Sequence, residues 1–269
     1  MGALYLVPTP LGNLKDITLR ALETLKEVDV IAAEDTRHTL KLLNHYEIKK
    51  PLFSYHEHNR REAGKKILEL LAQGKKVALV TDAGTPGISD PGEDIVREAL
   101  EEGHKVEVLP GASALIVALA GSGLSTARFS FEGFLPRKAG EREKLLVELS
   151  RERRTMIFYE APHRLIKTLT DLAKYFGENR RIVAARELTK IHEEHLRGNL
   201  AEILDHFRDK EPRGEFVLVV EGAPLEEKNV EEFVRDCLEK GFTQKEAVTL
   251  GRKLGFKKNE IYQLYLELK

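Results

Sequence analysis

Five short apolar runs recur along the first 110 residues: ALYLV (3–7), DVIAAE (29–34), PLFSYH (51–56), KKVALV (75–80) and KVEVLP (105–110). Stretches with helical periodicity separate and follow them, at 16–28 with Asp16 as cap, 36–46, 61–74 closed by Gly74, 90–103 and 111–123. A strand that alternates with a helix in this way builds a mainly parallel sheet covered on both faces. The class is therefore α/β. GSGLSTARF (121–129) is small and polar and marks a boundary after residue 122.

The second half, 123–224, follows a different rhythm. Strands are expected at 129–135, 154–161, 180–187, 193–198 and 214–222, and helices near 140–151, 162–176 and 199–208. Several connections are short, which predicts a mixed sheet with antiparallel pairs. From 225 to 269 the pattern changes to three short helices split at Gly241 and Gly255. Residues 243–268 have a helix-turn-helix cadence, which suits either RNA contact or a small helical cap.

The chain of 269 residues is 42% hydrophobic and 32% charged, the composition of a soluble globular protein. No apolar run approaches the ~18 residues of a membrane span, and no signal peptide is expected. A single cysteine, Cys237, excludes an intrachain disulfide and points to a reducing cytoplasm. With a net charge of −1, any polyanion must be met by a local patch.

The unusual residues of the first half all follow strands: PTPLGN (8–13), EDTR (34–37), HEHN (56–59), TDAGTPGISDPG (81–92) and PGAS (110–113). Open parallel sheets bind ligands outside the carboxyl ends of their strands. The fourth loop matches neither GxxxxGK[ST] nor GxGxxG. It carries Asp82 and Asp90 and no cation, so it suits a ligand without a bare phosphate, or a magnesium-bound one. Asp90 reads as a cap for the helix that follows, with Pro91 at its first position; Asp82 reads as a ligand contact. HEHN offers two histidines and no third ligand, so no metal is expected.

Seven ordered blocks, LYLVPTPLGNLKDIT, AAEDTR, TDAGTPGISDPG, PGASA, EGFLPRK, FYEAPHR and ARELTK, resemble the ribosomal RNA small subunit methyltransferase I group. That group belongs to the tetrapyrrole methylase superfamily of S-adenosylmethionine-dependent enzymes. The resemblance spans residues 3 to about 222. It implies two α/β domains, S-adenosylmethionine between them and a homodimer. It also implies 2′-O-methylation of a cytidine in the decoding region of small-subunit rRNA. The tetrapyrrole enzymes typically show GDP where this chain has TDA (81–83), which argues against a porphyrin substrate. Carried over block by block, the cofactor-binding residues are Pro8, Pro10, Asp82, Ala83, Gly84, Thr85, Gly87, Ile88, Ser89, Gly111, Ser113 and Ala114. Tyr159, Leu188 and Glu215 follow from the second domain, where a packed Tyr, a core Leu and a surface Glu are equally natural readings.

In the implied reaction the ribose oxygen displaces the methyl group in line, and a base near the cleft helps. Asp35 and His56 are the candidates taken from a set that includes Glu34 and Glu57. Asp35 also suits an N-cap, and His56 an ordinary loop position. Cations for RNA phosphates are Arg37, Arg137, Lys138, His163, Arg164, Arg186 and Lys190. Two rival readings stand beside this one: a methylase of a small tetrapyrrole-like molecule, and a non-catalytic RNA-binding protein.

Overall fold

A computed structural model describes residues 2–208, 210–224 and 229–269. It divides into a compact unit ending at Ala223 and a second from Pro224 to Lys269. The expected start of the tail at residue 225 lies outside the described residues.

The first unit holds two five-stranded sheets. In the first, β1 (Ala3–Leu6), β2 (Val30–Ala33), β3 (Leu52–Ser54), β4 (Lys76–Val80) and β5 (Lys105–Val108) run parallel in the order β3-β2-β4-β1-β5. Alternate residues face opposite sides, as strand geometry requires. Leu4, Leu6, Ala32, Val77 and Leu79 pack with Ile67, Leu71, Ile95 and Ala99 of α3 (Arg60–Ala72) and α4 (Gly92–Glu101). On the other face, Ile31, Ala33, Ala78 and Val80 pack with Ala21 and Leu25 of α1 (Leu19–Glu27) and Leu43 of α2 (Thr36–His45). The cap of α1 is Thr18, whose hydroxyl accepts the Ala21 N–H at 3.0 Å, and not Asp16. Asp16 ends a separate 3₁₀ turn, Leu14–Asp16, capped by Asn13, so the helix starts three residues later than expected.

The second sheet contains β6 (Phe129–Phe134), β7 (Thr155–Glu160), β8 (Arg181–Arg186), β9 (Glu194–Asn199) and β10 (Phe216–Val220), in the order β6-β7-β10-β8-β9. β6 and β7 are parallel and the other pairs antiparallel. One face is covered by α6 (Ala139–Leu149), α7 (Leu165–Phe176) and α8 (Leu200–His206). The other is covered by α5 (Ala114–Ser122), whose Leu115, Ala118 and Leu119 pack on Ile157, Val183, Val217 and Val219. The last helix of the first half thus belongs by packing to the second sheet.

The second unit is three helices, α9 (Val230–Glu239), α10 (Gln244–Lys253) and α11 (Lys258–Leu268), around Val234, Cys237, Ala247, Ile261 and Tyr265. Among the described residues no helix is long and apolar enough to cross a membrane.

Candidate functional site

The loops that leave β1, β4 and β5 are tied into one surface. Thr9 and Gly84 exchange both backbone hydrogen bonds at 2.9 Å, and the buried Thr9 hydroxyl donates to Thr81 O at 2.9 Å. Thr85 donates its hydroxyl to Ala112 O at 2.9 Å. Gly111 lies so close to Pro8 that an added Cβ would stand 2.5 Å from the proline Cβ. Gly84 has φ +89°, a left-handed conformation that side chains resist. Asp90 holds the far end of the loop: its carboxylate accepts the Gly87 N–H at 2.8 Å and the Gly92 N–H at 2.7 Å. Its expected capping role is met in part, since α4 starts at Gly92, one residue after Pro91. Burial pushes its carboxyl up against the pull of these donors. Replacing it by Ala strips two amides of a charged acceptor worth about 1.5–3 kcal/mol each. In Asp90→Ala the Gly87 and Gly92 amides should exchange with deuterium roughly 10–100-fold faster, with core amides unchanged.

This surface forms one side of a cavity of about 430 Å³, lined by Leu11, Ala83, Gly84, Thr85, Ile88, Ser113 and Ala114. The second sheet supplies Phe134, Tyr159, Glu160, Ala161, Pro162, Leu188, Glu215, Phe216 and Val217. The volume falls within the ~300–1,000 Å³ of small-molecule sites. Tyr159 stands edge-on to Phe131 and Phe134, with ring centroids 4.9 and 5.7 Å away, and its hydroxyl accepts the Leu115 N–H at 3.3 Å. Burial raises its phenol above the ordinary value. Among the described residues the wall contains no Lys or Arg. The Glu160 carboxylate is buried and committed to Ala161 N, Thr168 Oγ1 and Arg164 Nε at 2.9, 2.6 and 3.3 Å. The second wall carboxylate, Glu215, reaches Lys190 Nζ at 3.2 Å.

Backbone strain brackets the same cavity. Ser89, Glu187 and Thr189 have φ of +62°, +51° and +65°, although none is glycine. They flank the lining residues Ile88 and Leu188, and each such residue costs about 1–3 kcal/mol, which persists where surrounding contacts over-determine it. Around Glu187 those contacts are Lys190 Nζ at 2.9 Å and Glu215 N at 3.1 Å. The Thr189 hydroxyl accepts the Asn13 N–H at 3.2 Å, which joins this turn to the loop after β1.

The profile of the Tetrapyrrole (Corrin/Porphyrin) Methylases matches residues 3–204. A Synechocystis protein named Ribosomal RNA small subunit methyltransferase I is 50% identical over 275 residues, covering 100% of this chain and 99% of that one. Its Bacillus subtilis namesake is 49% identical over 276 residues, 98% of this chain and 94% of that one. The chain belongs to the ribosomal RNA small subunit methyltransferase I family. A Thermotoga maritima member is 52% identical over 222 residues, which is 99% of that protein but 82% of this chain. Solved structures share the fold. Uroporphyrin-III C-methyl transferase from Thermus thermophilus, complexed with S-adenyl homocysteine, has a TM-score of 0.59 at 20% identity, covering 82% of this chain and 97% of that chain. Diphthine synthase has a TM-score of 0.62 at 18% identity, covering 82% and 90%.

Of the fifteen cofactor-binding residues expected for a methyltransferase I, nine line the cavity: Ala83, Gly84, Thr85, Ile88, Ser113, Ala114, Tyr159, Leu188 and Glu215. Six stand off the wall. Pro8 and Gly111 pack against each other behind it, and Gly87 serves the Asp90 clamp. Pro10 is half-buried and Ser89 exposed in the adjoining loops. Asp82 points to the rim, where its Oδ1 accepts the Asp35 N–H at 3.1 Å; burial and the neighbouring Glu34 push its carboxyl up. Leu11, Phe134, Glu160, Ala161, Pro162, Phe216 and Val217 were not expected there. All but Val217 lie in, or directly beside, the stretches read for the site.

Neither expected base lies on the wall. Asp35 caps α2 by accepting the Arg37 N–H at 2.8 Å and pairs with the Arg37 guanidinium at 2.7 Å. Those bonds hold its carboxyl well below the usual carboxylate range. A depressed group contributes above its unfolded value of 3.8 and is lost only as pH falls through the lower folded value. Asp35 is therefore a cap at neutral pH and a weak proton acceptor. His56 is half-buried, and its Nδ1 is buried without a partner.

The expected phosphate-binding cations are scattered in their commitments. Arg164 turns inward to Leu135 O at 2.7 Å and to Glu160. Arg186 pairs with Glu194, Lys138 with Glu141, and Lys190 with Glu187 and Glu215. Arg137 and His163 are exposed without an ion pair among the described residues.

Proposed function

We propose that this chain methylates the 2′-hydroxyl of a cytidine ribose in the decoding region of small-subunit rRNA, using S-adenosylmethionine. The observation that carries the cofactor is the cavity wall: aromatic and backbone-rich, with no Lys or Arg among the described lining residues and its one buried carboxylate already satisfied. Such a wall suits a large ligand without phosphate and disfavours a nucleotide polyphosphate. Family membership carries the rRNA substrate.

When bound, S-adenosylmethionine supplies an electrophilic methyl group on a sulfonium centre. The faces of Tyr159 and Phe134 attract a cation of that kind. Backbone groups of Ala83 and Thr85 and the hydroxyl of Ser113, which caps no helix amide, offer hydrogen bonds to its polar ends, while Gly84 is held to Thr9 and shapes the wall. The N-terminus of α5, which lacks a side-chain cap, favours a carboxylate. The apolar side chains of Leu11, Ile88, Leu188 and Val217 offer a surface for the uncharged parts of the cofactor. His56 is kept as the candidate for the ribose proton because Asp35 is engaged by Arg37. Arg137 and His163 are free to meet phosphates. The reaction belongs in the cytoplasm, to which the single cysteine points, and in a homodimer, which the family resemblance implies.

The test is transfer of labelled methyl from S-adenosylmethionine to unmodified small subunits, with the acceptor atom mapped. A small-molecule methylase would leave every rRNA ribose unlabelled.

A further inference from the structure

The zero net charge of the helical tail conceals a segregation. Residues 225–240 hold six acids and three bases, whereas residues 241–269 hold six bases and three acids. Four of those bases fall within the seven residues RKLGFKK (252–258), with no acid among them. This stretch is the junction of α10 and α11: Arg252 and Lys253 end one helix, Lys258 begins the next, and Gly255 sits in the four-residue turn at φ +94°. Two helices joined by a short glycine-containing turn are the helix-turn-helix arrangement.

The charges at this junction are available. Arg235 and Lys240 on the acidic side pair with Glu231 and Asp236, and Lys257 pairs with Glu260 at 3.5 Å. Arg252, Lys253 and Lys258 are exposed and have no ion pair among the described residues. α9 and α10 have N-terminal amides capped by the side chains of Asn229 and Thr243, whereas the cap residue of α11, Lys257, offers none. First-turn amides of α11 beside two lysines favour an anion. One helical turn after Lys258, Tyr262 is 43% exposed, and its backbone carbonyl is held by the Gln244 side chain at 3.3 Å. Cations beside an exposed aromatic ring are the chemistry that grips a single-stranded nucleic acid: phosphates on the charges, a base on the ring. The Thermotoga maritima relative leaves roughly a fifth of this chain unmatched, a share the size of the tail.

We propose that the α10–α11 junction is a second RNA-docking surface, which holds rRNA phosphates with Arg252, Lys253 and Lys258 and stacks a base on Tyr262. The assignment of rRNA as the ligand rests on the function proposed above. The surface raises affinity for the substrate and leaves the chemical step to the cavity.

The test uses the full chain with R252A/K253A/K258A, a charge-preserving R252K/K253R/K258R control, and Y262A. With unmodified small subunits, the triple alanine variant should raise KM at least about 10-fold with kcat within twofold of the native chain. On a protein-free rRNA fragment, its dependence of log K on log salt should flatten by about 2, since each single-strand phosphate contact contributes ~0.7. Y262A should lose roughly 10-fold in fragment affinity with the slope unchanged. The charge-preserving control should match the native chain and shows that charge, and not folding, is at issue. Unchanged KM and slope overturn the proposal. So does weaker subunit binding with native fragment binding, which would mean a protein partner. A native chain that labels no rRNA would refute the proposed function instead, and the fragment-binding arm would still decide this one.

Discussion

A chain carrying Gly84→Val will bind S-adenosylhomocysteine at least about 100-fold more weakly than the native chain in calorimetry. Gly84 sits at φ +89° on the cavity wall, and an L-residue there costs roughly 1–2 kcal/mol, more when β-branched. The backbone cannot rotate away freely, because its N–H and C=O are both bonded to Thr9 at 2.9 Å. Breaking that pair adds about 1 kcal/mol for each bond. A loss near 3 kcal/mol is about two decades in Kd. The sheet cores are untouched, so the melting transition should stay cooperative. Native affinity in this variant would mean that the loop does not hold the cofactor.

Glu160→Ala has the largest expected effect on stability, a loss of about 3–5 kcal/mol in urea unfolding. The residue is 2% exposed and its carboxylate serves three donors at once: Ala161 N, Thr168 Oγ1 and Arg164 Nε. Truncation leaves the Arg164 guanidinium without its countercharge in a largely buried site, with the Leu135 carbonyl as its remaining partner. Glu160→Gln keeps the volume and should lose less. A loss under 1 kcal/mol in Glu160→Ala would show that Arg164 and Thr168 find other partners.

The parallel sheet was legible because both of its faces are buried. Continuous runs such as VALV can only be interior strands, and loops rich in Gly and Pro must then collect at one rim. In the second half β7, β8 and β10 were legible for the same reason, whereas the edge strands β6 and β9 carry polar residues and are mostly half-buried. The packing of α5 was not: an all-apolar helix carries no stripe to say which sheet it covers, and only the three-dimensional arrangement places it on β7, β8 and β10. The wall of the cavity was partly legible. Blocks such as FYEAPHR announced a site, but which alternate residue turns inward depends on register. Tyr159 was named from that block, while Glu160, Ala161 and Pro162, which also line the cavity, were not. A sequence lists charges without their partners. Asp35 was read as an N-cap as well as a base, and the fold makes it that cap, while Arg164 and Lys190 each have an acidic partner within 3.3 Å. The tail shows the reverse: Arg252, Lys253 and Lys258, grouped at one turn in the sequence, keep no ion pair among the described residues.

The most direct measurement is methyl transfer itself. Native chain, labelled S-adenosylmethionine and small subunits lacking rRNA modifications are incubated, and the rRNA is then digested and its nucleosides separated. The account predicts one labelled product, 2′-O-methylcytidine from the decoding region, formed only when the chain is present. Label on a base, on a different nucleoside or on no RNA at all would contradict it.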